Sequence, residues 1–475
     1  MNIFSQLWGY CKLYYKLNLL YNEYTVHETV DTDNGHNLID LIHTDILNNG
    51  AICIKFCQWL LPILDNVYIK DGPKPYWFTS LENLYENCPI HSHEYSKQIY
   101  FNEFNEDFDD DYILLDVIGS GSIGQVYKIR NKHNQKEFAY KIIHPDVKYQ
   151  LQLFKKVLIF LLKFSCIAKK LHELVPVNYL QFIDIFEEQI NMIKEANNLT
   201  RVNYYYKDNS SVIIPQLIRC SESCLLMTYE EGVTLEKLDV SDYRLTKIIS
   251  LLYGFITTNQ LFCDVMHNDI HKGNWKVRKL KEDRYAIVVY DFGFCGKGNL
   301  KNRPIIEKMT TMFECSDENT DNTENYVSMT QFFCNDYSDG FKSTIYQHIP
   351  DDIVCNPNDL FDLGINVCRG GVAVLDAKCI QILIISIQCY KYLAKAFINN
   401  DAKLKNDGYR TYREKYLDLI NIYETYDCFL EYREYMLTKL STLDIEVTEL
   451  FDTIKDNETV TDELTKLLKF DVSLD

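Results

Sequence analysis

The sequence predicts an α+β protein with two lobes, in which a small sheet-rich lobe precedes a larger helical lobe. Three observations support this prediction. Apolar residues recur at helical spacing in residues 1–100 and again from residue 241 onwards. Between these regions, short runs rich in β-branched and aromatic residues alternate with turns, which is typical of strands. A hairpin pattern, 275–280 and 285–290 around a Lys-Glu-Asp-Arg turn, interrupts the second helical region.

The composition is that of a folded and strongly acidic protein. Hydrophobic residues make up 47% and charged residues 25% of the 475 positions, which are ordinary values for a globular chain. The 49 basic and 68 acidic residues give a formal net charge of −19. This charge disfavours broad binding to nucleic acid or to anionic membranes. We therefore expect no nucleic-acid partner.

Cysteine usage predicts a reducing environment. The 16 cysteines are scattered without a Cys-x-x-Cys pair, which favours free thiols in the cytoplasm or another reducing compartment over a disulfide framework. Cys88, His91 and His93 could begin a metal site, but no fourth ligand is nearby in sequence, and a plain loop is favoured. We expect no signal peptide, no transit peptide and no transmembrane helix, since no uninterrupted run of about 18 apolar residues occurs.

The first 110 residues are predicted to form a helical extension that ends in an acidic linker. Apolar positions at helical spacing cover 51–64, with Pro62 near the end of this helix. Six carboxylates then occupy the nine residues 103–111. Such a charge run favours a solvated linker over a metal site.

Residues 111–235 are predicted to form the sheet-rich lobe, and residues 236–475 the helical lobe. In the sheet-rich lobe, three strands are predicted at 112–117, 125–130 and 138–143. A long helical insertion follows at 146–198, and two further strands are predicted at 211–218 and 224–229. The helical lobe is predicted to carry a polar surface loop at 316–325.

A glycine-rich turn joins the first two predicted strands. Its residues fit the pattern Gly-x-Gly-x-x-Gly, with a valine two positions later: Gly119, Ser120, Gly121, Ser122, Ile123, Gly124 and Val126. The pattern alone also fits dinucleotide-binding folds, but there it leads from a strand into a helix. Glycines let the backbone approach phosphates closely, and exposed N–H groups bind the phosphate oxygens. The turn is therefore predicted to bind a nucleotide.

A lysine follows on the third predicted strand. Lys141 stands seventeen residues after Gly124, and its cation would neutralise the α- and β-phosphates of a nucleotide. Glu195 is a helical carboxylate that could pair with this lysine. The gap of 54 residues between them is longer than in ordinary protein kinases, which indicates inserted helices. Taken alone, Lys141 also fits an ordinary lysine at a sheet edge.

The strongest local signal is His-Asn-Asp-Ile-His-Lys-Gly-Asn at 267–274. Asp269 precedes Asn274 by five residues, which is the spacing of a kinase catalytic loop. There the Asp orients or deprotonates the attacking hydroxyl, and the Asn binds a Mg²⁺ ion. Seventeen residues later Asp291 opens an Asp-Phe-Gly triplet and would bind the Mg²⁺ that bridges the phosphates.

These motifs occur in one order and on the expected elements, so together they predict a protein-kinase-like fold that uses Mg-ATP. In this interpretation Lys141, Asp269 and Asn274 are the catalytic residues. His267 and His271 are expected to pack or to form hydrogen bonds rather than to bind metal.

Three stretches resemble the UbiB/ADCK (AarF-domain) family of atypical kinases. Ser-Ile-Gly-Gln-Val-Tyr at 122–127 resembles the family's nucleotide loop, and Lys-Ile-Ile-His-Pro-Asp-Val at 141–147 its lysine strand, with His144 and Asp146 as departures. The 267–274 motif is similar to the family's His-Ala-Asp-Leu-His-Pro-Gly-Asn. The resemblance spans roughly residues 45–300 and fades toward the C-terminus.

The resemblance gives the N-terminal helix a role. Ile-Lys-Phe-Cys-Gln at 54–58 resembles the family's Lys-x-Gly-Gln signature, with Cys57 in place of glycine. In that family this helix lies over the active site and blocks the place of a protein substrate. Lys55 is then expected to reach the nucleotide pocket, with Gln58 beside it. Without the resemblance, both are polar positions on an amphipathic helix.

Two departures from the family affect this regulation. The family's nucleotide loop is rich in alanine, whereas this one is rich in glycine and serine. The family also carries a Glu-x-Asp pair six residues before the helical Glu, and here Gln189 and Asn191 take those positions. An amide keeps the shape of a carboxylate but loses its charge, so we expect weaker pairing with Lys55.

The sequence thus predicts an atypical kinase or ATPase that transfers or hydrolyses the γ-phosphate of ATP with Mg²⁺. The acceptor is an unknown lipid, small molecule or protein, and the resemblance implies lipid- or quinone-related metabolism and peripheral membrane contact. A nucleotide-binding pseudokinase scaffold and a true protein Ser/Thr kinase stay open as alternatives. The latter is disfavoured because no Ala-Pro-Glu triplet follows Asp291. The sequence leaves the oligomeric state open.

Overall fold

The computed structural model describes most of the chain up to residue 387. The described ranges are 3–69, 72–85, 88–238, 263–280, 284–297, 323–335, 340–349 and 357–369, with parts of 245–259 and 371–387. The helices expected after residue 387, and residues 316–322 of the expected polar loop, lie outside these ranges.

The N-terminal extension is helical, as predicted. Its helices are α1 Ile3–His27, α2 Asp33–Asn48, α3 Ala51–Leu64, α4 Tyr76–Glu82, α5 His93–Phe104 and α6 Phe108–Asp111. Side-chain oxygens cap three of these helix starts, at α2, α5 and α6, because the first N–H groups of a helix have no partner within it. Thr32 Oγ1 accepts from the N–H of Gly35 at α2 (2.9 Å), and Ser92 Oγ from the N–H of Tyr95 at α5 (3.3 Å).

The sheet-rich lobe is built on one antiparallel sheet of five strands. Its strands are β1 Tyr112–Ser120, β2 Gly124–Asn131, β3 Glu137–Ile143, β5 Leu217–Cys220 and β6 Cys224–Thr228, in the order β1-β2-β3-β6-β5. Each predicted strand is present. Register pairs Val126 with Lys141 and Lys141 with Leu225, so β3 lies in the middle of the sheet. The edge-strand alternative for Lys141 is therefore wrong.

One predicted strand is divided between two sheets. The segment 211–218 contains β4 Val212–Ile213, which pairs in parallel with β9 Tyr285–Val289 of the C-terminal hairpin. β5 begins four residues later and joins the five-stranded sheet. Pro215 lies between the two strands. Because proline lacks a backbone N–H, it cannot continue a ladder of hydrogen bonds, and the chain changes sheet there.

The predicted helical insertion consists of four helices. They are α7 Val147–Leu162, α8 Ser165–Leu174, α9 Tyr179–Gln189 and α10 Met192–Tyr206. Asn178 Oδ1 caps α9 and Asn191 Oδ1 caps α10, so each asparagine marks a break between helices. The extension packs on this insertion: Phe182 of α9 lies 4.7 Å from Trp59 and 4.9 Å from Phe56 of α3, between ring centroids.

The described part of the C-terminal lobe places two loops side by side. It contains β7 Val265–His267, β8 Trp275–Lys279, β9, β10 Cys295–Lys297, α11 Thr323–Phe333, β11 Cys334–Asn335, α12 Phe341–His348, α13 Pro357–Arg369 and β12 Val374–Leu375. β8 and β9 form the predicted hairpin, and β10 pairs with β7. The loops β7–β8 and β9–β10 thereby meet at one end of these strands. They carry the 267–274 motif and the Asp-Phe-Gly triplet.

One helical stretch of the described residues meets the length and hydropathy of a membrane span. It is Ala51–Ile69, with a mean hydropathy of 1.3 over an 18-residue window, 39% of which is buried inside the protein. The sequence analysis expected no such segment. The stretch comprises α3 and the turn Asp65–Ile69 that follows it, and α3 packs on α9 as described above.

The acidic stretch 103–111 is anchored to the sheet-rich lobe rather than being a plain linker. Phe108 is 1% exposed and packs on Tyr140 of β3, with 5.6 Å between ring centroids. The two Glu106 carboxylate oxygens lie 2.5 and 3.2 Å from the guanidinium of Arg219. The carboxylates stay near solvent, but one apolar side chain and one forked ion pair hold the stretch in place.

Phe108→Ala should lower the free energy of unfolding by about 3–5 kcal/mol, the usual cost of a phenylalanine-sized cavity. Phe101→Ala is the matched control, because Phe101 lies on the neighbouring α5 and is 48% exposed. This control should change stability by less than about 1 kcal/mol. Urea denaturation of both variants measures the difference. Equal effects would show that the acidic stretch does not pack as described.

Candidate active site

The glycine-rich turn is a tight connection between β1 and β2. The N–H of Gly121 donates to the carbonyl of Gly124 at 2.9 Å, which closes the turn. A Cβ atom on Gly124 would lie 2.5 Å from the carbonyl oxygen of Ile142, so that position has no room for a side chain. Ser122 Oγ donates to Gln58 Oε1 at 3.0 Å, which joins the turn to α3.

Lys141 is held between two carboxylates. Its Nζ lies 2.7 and 2.9 Å from the two carboxylate oxygens of Glu195, as the sequence predicted, and 3.0 Å from Oδ1 of Asp291. Lys141 is 8% exposed and Glu195 2% exposed. Strand β3, helix α10 and the loop after β9 thus meet at one buried cation.

Burial and charge act against each other in this cluster. Burial alone would lower the pKa of Lys141, but Asp291 and Glu195 outweigh it and hold that pKa above its usual value. Burial raises the pKa of Glu195 to about 7, although Lys141 opposes the shift. For Asp291, desolvation is outweighed by Lys141 and Lys55, which hold its pKa well below the usual range. Asp291 is therefore a carboxylate anion at neutral pH.

The 267–274 loop is ordered by hydrogen bonds of its own residues. His267 Nε2 donates to the carbonyl of Tyr290 (2.9 Å), and His267 Nδ1 accepts from the N–H of Asp269 (3.2 Å). Asn274 Nδ2 donates to the backbone carbonyl of Asp269 (2.8 Å). His267 thus hydrogen-bonds the two loops together, as expected. His271 Nδ1 accepts from the N–H of Gly273 at 3.1 Å.

The Asp-Phe-Gly triplet has a constrained backbone. Asp291 adopts φ 57°, in the left-handed region that non-glycine residues seldom occupy. A Cβ on Gly293 would lie 3.2 Å from Asp291 Oδ1 and 3.3 Å from Glu195 Oε2, so glycine leaves room for the ion cluster. Phe292 is buried against His267, 5.1 Å between ring centroids.

Asn198 is a site residue that the sequence analysis missed. Its Nδ2 donates to the carbonyl of Phe292 at 2.9 Å, and its side chain is buried. Asn198 lies three residues after Glu195, on the same face of α10. This spacing could have predicted Asn198 as a site residue, because it places a polar side chain about one helical turn after the predicted functional Glu195.

Helix α3 brings Lys55 into the cleft. Lys55 Nζ lies 3.3 Å from Oδ2 of Asp269. Gln58 receives the hydrogen bond of Ser122 and donates from Nε2 to the carbonyl of Leu84 at 2.8 Å. Burial would raise the pKa of Asp269, but Lys55 and His271 outweigh it and lower that pKa below its usual value. The extension therefore supplies a counter-ion to the predicted catalytic carboxylate.

The amide pair lies where helix α9 ends and helix α10 begins. Lys55 is paired with Asp269, whereas the sequence analysis placed its charge opposite Gln189 and Asn191. Gln189 is 5% exposed at the end of α9. Asn191 is exposed, and its side chain caps α10 by accepting from the N–H of Lys194 at 3.1 Å. The cap explains the asparagine, since Asn is a preferred residue at this position.

A histidine pair fastens the glycine-rich turn to the extension. His91 Nδ1 and His144 Nδ1 lie 2.8 Å apart, and His144 Nε2 lies 3.0 Å from the carbonyl oxygen of Gly121. Ligands of one tetrahedral zinc ion, each about 2.0–2.1 Å from the metal, would stand farther apart. Among the described residues, no group of three or more His, Cys, Asp or Glu side chains is arranged to hold a metal ion. Residues 88–92 form a loop, and helix α5 begins at His93.

The fold and this site define a kinase-like protein. A family model described as the ABC1 atypical kinase-like domain matches residues 83–326, just over half of the chain. The chain belongs to this family, and the resemblance to UbiB/ADCK proteins is confirmed. The predicted kinase-like α+β fold is confirmed as well.

Individual relatives are distant. The chain is 26% identical to "Probable serine/threonine-protein kinase abkC" of Dictyostelium discoideum, over 50% of this chain and 35% of that protein. It is 23% identical to "Probable protein kinase UbiB" of Klebsiella pneumoniae, over 41% of this chain and 37% of that protein. The chain thus covers just over a third of these relatives. A solved structure of an Rv3197–erythromycin complex from Mycobacterium tuberculosis aligns with a TM-score of 0.36 and 14% identity, over 62% of this chain and 82% of that chain.

The histidine pair predicts a pH dependence of stability. Burial, with His144 and His93 nearby, lowers the pKa of His91 to about 4, and burial lowers the pKa of His144. Between about pH 6.5 and 4 the folded state therefore binds fewer protons than the unfolded state, and stability falls as the pH falls. His91→Asn keeps a donor group but cannot titrate, so its melting temperature should fall less than that of the wild type over this window. Parallel melting curves would contradict the assignment.

Proposed function

We propose that the protein is an atypical kinase or ATPase that binds Mg-ATP and transfers or hydrolyses the γ-phosphate. The observation that carries this proposal is the cluster in which Lys141 contacts Glu195 at 2.7 Å and Asp291 at 3.0 Å. These contacts fix the position of the Lys141 ammonium group before a ligand binds. The group is therefore already oriented to bind an anionic phosphate chain. Family membership supports the same class of activity.

The surroundings of Lys141 suit a nucleotide. The glycine-rich turn lies at the end of β1 and β2, above the strand that carries the lysine. Ala139 on β3 and Met227 on β6 are paired neighbours in the sheet and belong to the same apolar core as Val126. An adenine base would pack against this apolar surface, while the turn and Lys141 would bind the phosphates.

Two residues fit a magnesium ion. Asp291 is ionised, and 43% of its side chain is exposed toward the cleft. Asn274 is fixed by the bond from its Nδ2 to the carbonyl of Asp269, so Oδ1 is the atom that it would offer to a cation. One carboxylate and one amide oxygen match Mg²⁺, which takes few protein ligands and completes its shell with phosphates and water. When bound, Mg²⁺ would neutralise charge on the phosphates.

Asp269 is the candidate base on the acceptor side. It lies in the 267–274 loop with a lowered pKa, so it is ionised and able to orient or accept a hydroxyl proton. In this structure the ammonium group of Lys55 forms an ion pair with the Asp269 carboxylate. In this proposal the cation of α3 regulates access to the base, and Gln58, bound to Ser122, ties that helix to the nucleotide loop. The acceptor would be water, a lipid, a small molecule or a protein, with lipid-related metabolism as the family-level expectation.

Mg-ATP should stabilise the protein, by about 2.7 kcal/mol at a ligand concentration of 100 × Kd. Asp291→Asn should remove most of the magnesium-dependent part of this effect, because the variant loses the anionic ligand. Asp116→Asn is the control, since Asp116 is an exposed aspartate on β1. Thermal unfolding with ATP, with and without Mg²⁺, measures the response. A magnesium response of Asp291→Asn equal to that of the control would refute the ligand role.

Lys55→Met should raise the pKa of Asp269, because it removes the cation that lowers this pKa. The acid limb of the pH–rate profile for phosphate release should then move to higher pH, since a carboxylate base loses activity as it gains a proton. Lys55→Arg retains the charge and should leave the limb in place. Asp269→Asn should reduce turnover by roughly 10²–10⁴-fold. If the acid limb lies at the same pH in Lys55→Met and in the wild type, Lys55 does not lower the pKa of the base.

A further inference from the structure

The histidine pair belongs to a chain of hydrogen bonds whose direction is fixed by chemistry. A carbonyl oxygen can only accept, so His144 Nε2 carries a hydrogen and donates to Gly121 at 3.0 Å. In a neutral His144 the other nitrogen, Nδ1, must then accept. Its partner at 2.8 Å is Nδ1 of His91, which therefore carries the hydrogen and donates.

The same logic continues into the core of the sheet-rich lobe. With its hydrogen on Nδ1, a neutral His91 accepts at Nε2 from the hydroxyl of Ser96, 2.9 Å away. Ser96 in turn receives the hydroxyl hydrogen of Tyr127, a fully buried residue of β2, at 2.8 Å. Four bonds thus run from Tyr127 through Ser96, His91 and His144 to the carbonyl of Gly121. Every polar atom on this route has a partner of the right kind, and both imidazoles are neutral.

The first part of the glycine-rich turn, from Gly119 to Gly121, has few packing contacts, whereas Ser122 is bonded to Gln58 and Gly124 is tightly packed. A Cβ built on Gly119 meets nothing within 4 Å, and one on Gly121 meets a single atom at 3.8 Å. Glycine-rich backbone loses much conformational freedom when it is ordered. Besides the tie from His144, Ser120 Oγ donates to the carbonyl of Pro89 at 3.0 Å. Pro89 and His91 belong to one short segment of the extension, which Gln125 fixes by accepting from the N–H of His91 at 2.9 Å.

We propose that His144 and His91 are positioning residues for the nucleotide loop. They hold the Gly121 peptide in one orientation and so order the loop before a nucleotide binds. Without them the nucleotide itself must order the loop, which reduces its affinity. This inference rests on the proposed binding of Mg-ATP. His144 is one of the two departures from the similar family stretch, so this hydrogen bond depends on a residue particular to this chain.

The test compares three substitutions in the full-length protein. His144→Leu removes the hydrogen bonds of the imidazole to His91, Gly121 and Ser120 and keeps a side chain of moderate size. His144→Gln keeps an amide N–H at about the reach of Nε2, so it can still donate to Gly121. His93→Leu is the matched control: this neighbouring histidine is exposed and lies outside the chain of bonds.

The dissociation constant of Mg-ATP should rise about 3- to 10-fold in His144→Leu, as expected for the loss of one or two hydrogen bonds. His144→Gln should restore it to within about twofold of the wild type, and His93→Leu should match the wild type. The maximal rate should change less than the affinity in His144→Leu, because the tie acts on loop order rather than on the reacting atoms. An equal loss of affinity in the Leu and Gln variants would overturn the proposal.

Hydrogen exchange separates this inference from the proposed function. In the absence of nucleotide, amides of residues 119–124 should exchange faster in His144→Leu than in the wild type or His144→Gln. If the wild type binds no Mg-ATP but this difference in exchange is present, the tie stands and the nucleotide function fails. If the exchange of residues 119–124 is the same in all four proteins, His144 does not order the loop and the inference fails.

Discussion

The site depends on one buried cation. Lys141 forms ion pairs with two carboxyl groups that come from distant parts of the chain, Glu195 and Asp291. Loss of one partner from a buried pair leaves an uncompensated charge and costs about 3–5 kcal/mol. Each of the three residues therefore holds the other two in place. The strand β3, the helix α10 and the loop after β9 are aligned at the point where this cation contacts both carboxyl groups.

The extension adds two further contacts to this arrangement. Lys55 reaches the Asp269 carboxylate, and the segment before α5 reaches the glycine-rich turn through His91. In the proposed function, the first contact lies on the acceptor side of the cleft and the second on the nucleotide side. The N-terminal helices thus contact two parts of the candidate site, the Asp269 carboxylate and the glycine-rich turn.

Features of the fold and the site could be predicted from the sequence when the contacting residues lie close together along the chain. Motifs within one element or one loop were placed correctly, because Gly119–Gly124, Lys141 and the 267–274 loop lie on strands and turns that local periodicity reveals. The pairing of Lys141 with Glu195 was also anticipated, since the order of the motifs implied it. The His91–His144 contact was not, because nothing in the spacing of two histidines 53 residues apart shows that they meet. The division of 211–218 between two sheets was also not predicted, because it depends on pairing with strands distant in sequence. Pro215 could have indicated a break in this strand.

The short strand β4 has a mechanical consequence. It follows α10 directly and pairs with β9, and Asn203 Nδ2 of α10 donates to the carbonyl of Ile214 just after it. Asn198 binds the same helix to Phe292. In many protein kinases, displacement of the helix that carries the Glu controls activity. Here that helix is bonded to the loop after β9 through Asn198, and the strand β4 that follows it pairs with β9, so an outward displacement of the helix would have to break these contacts.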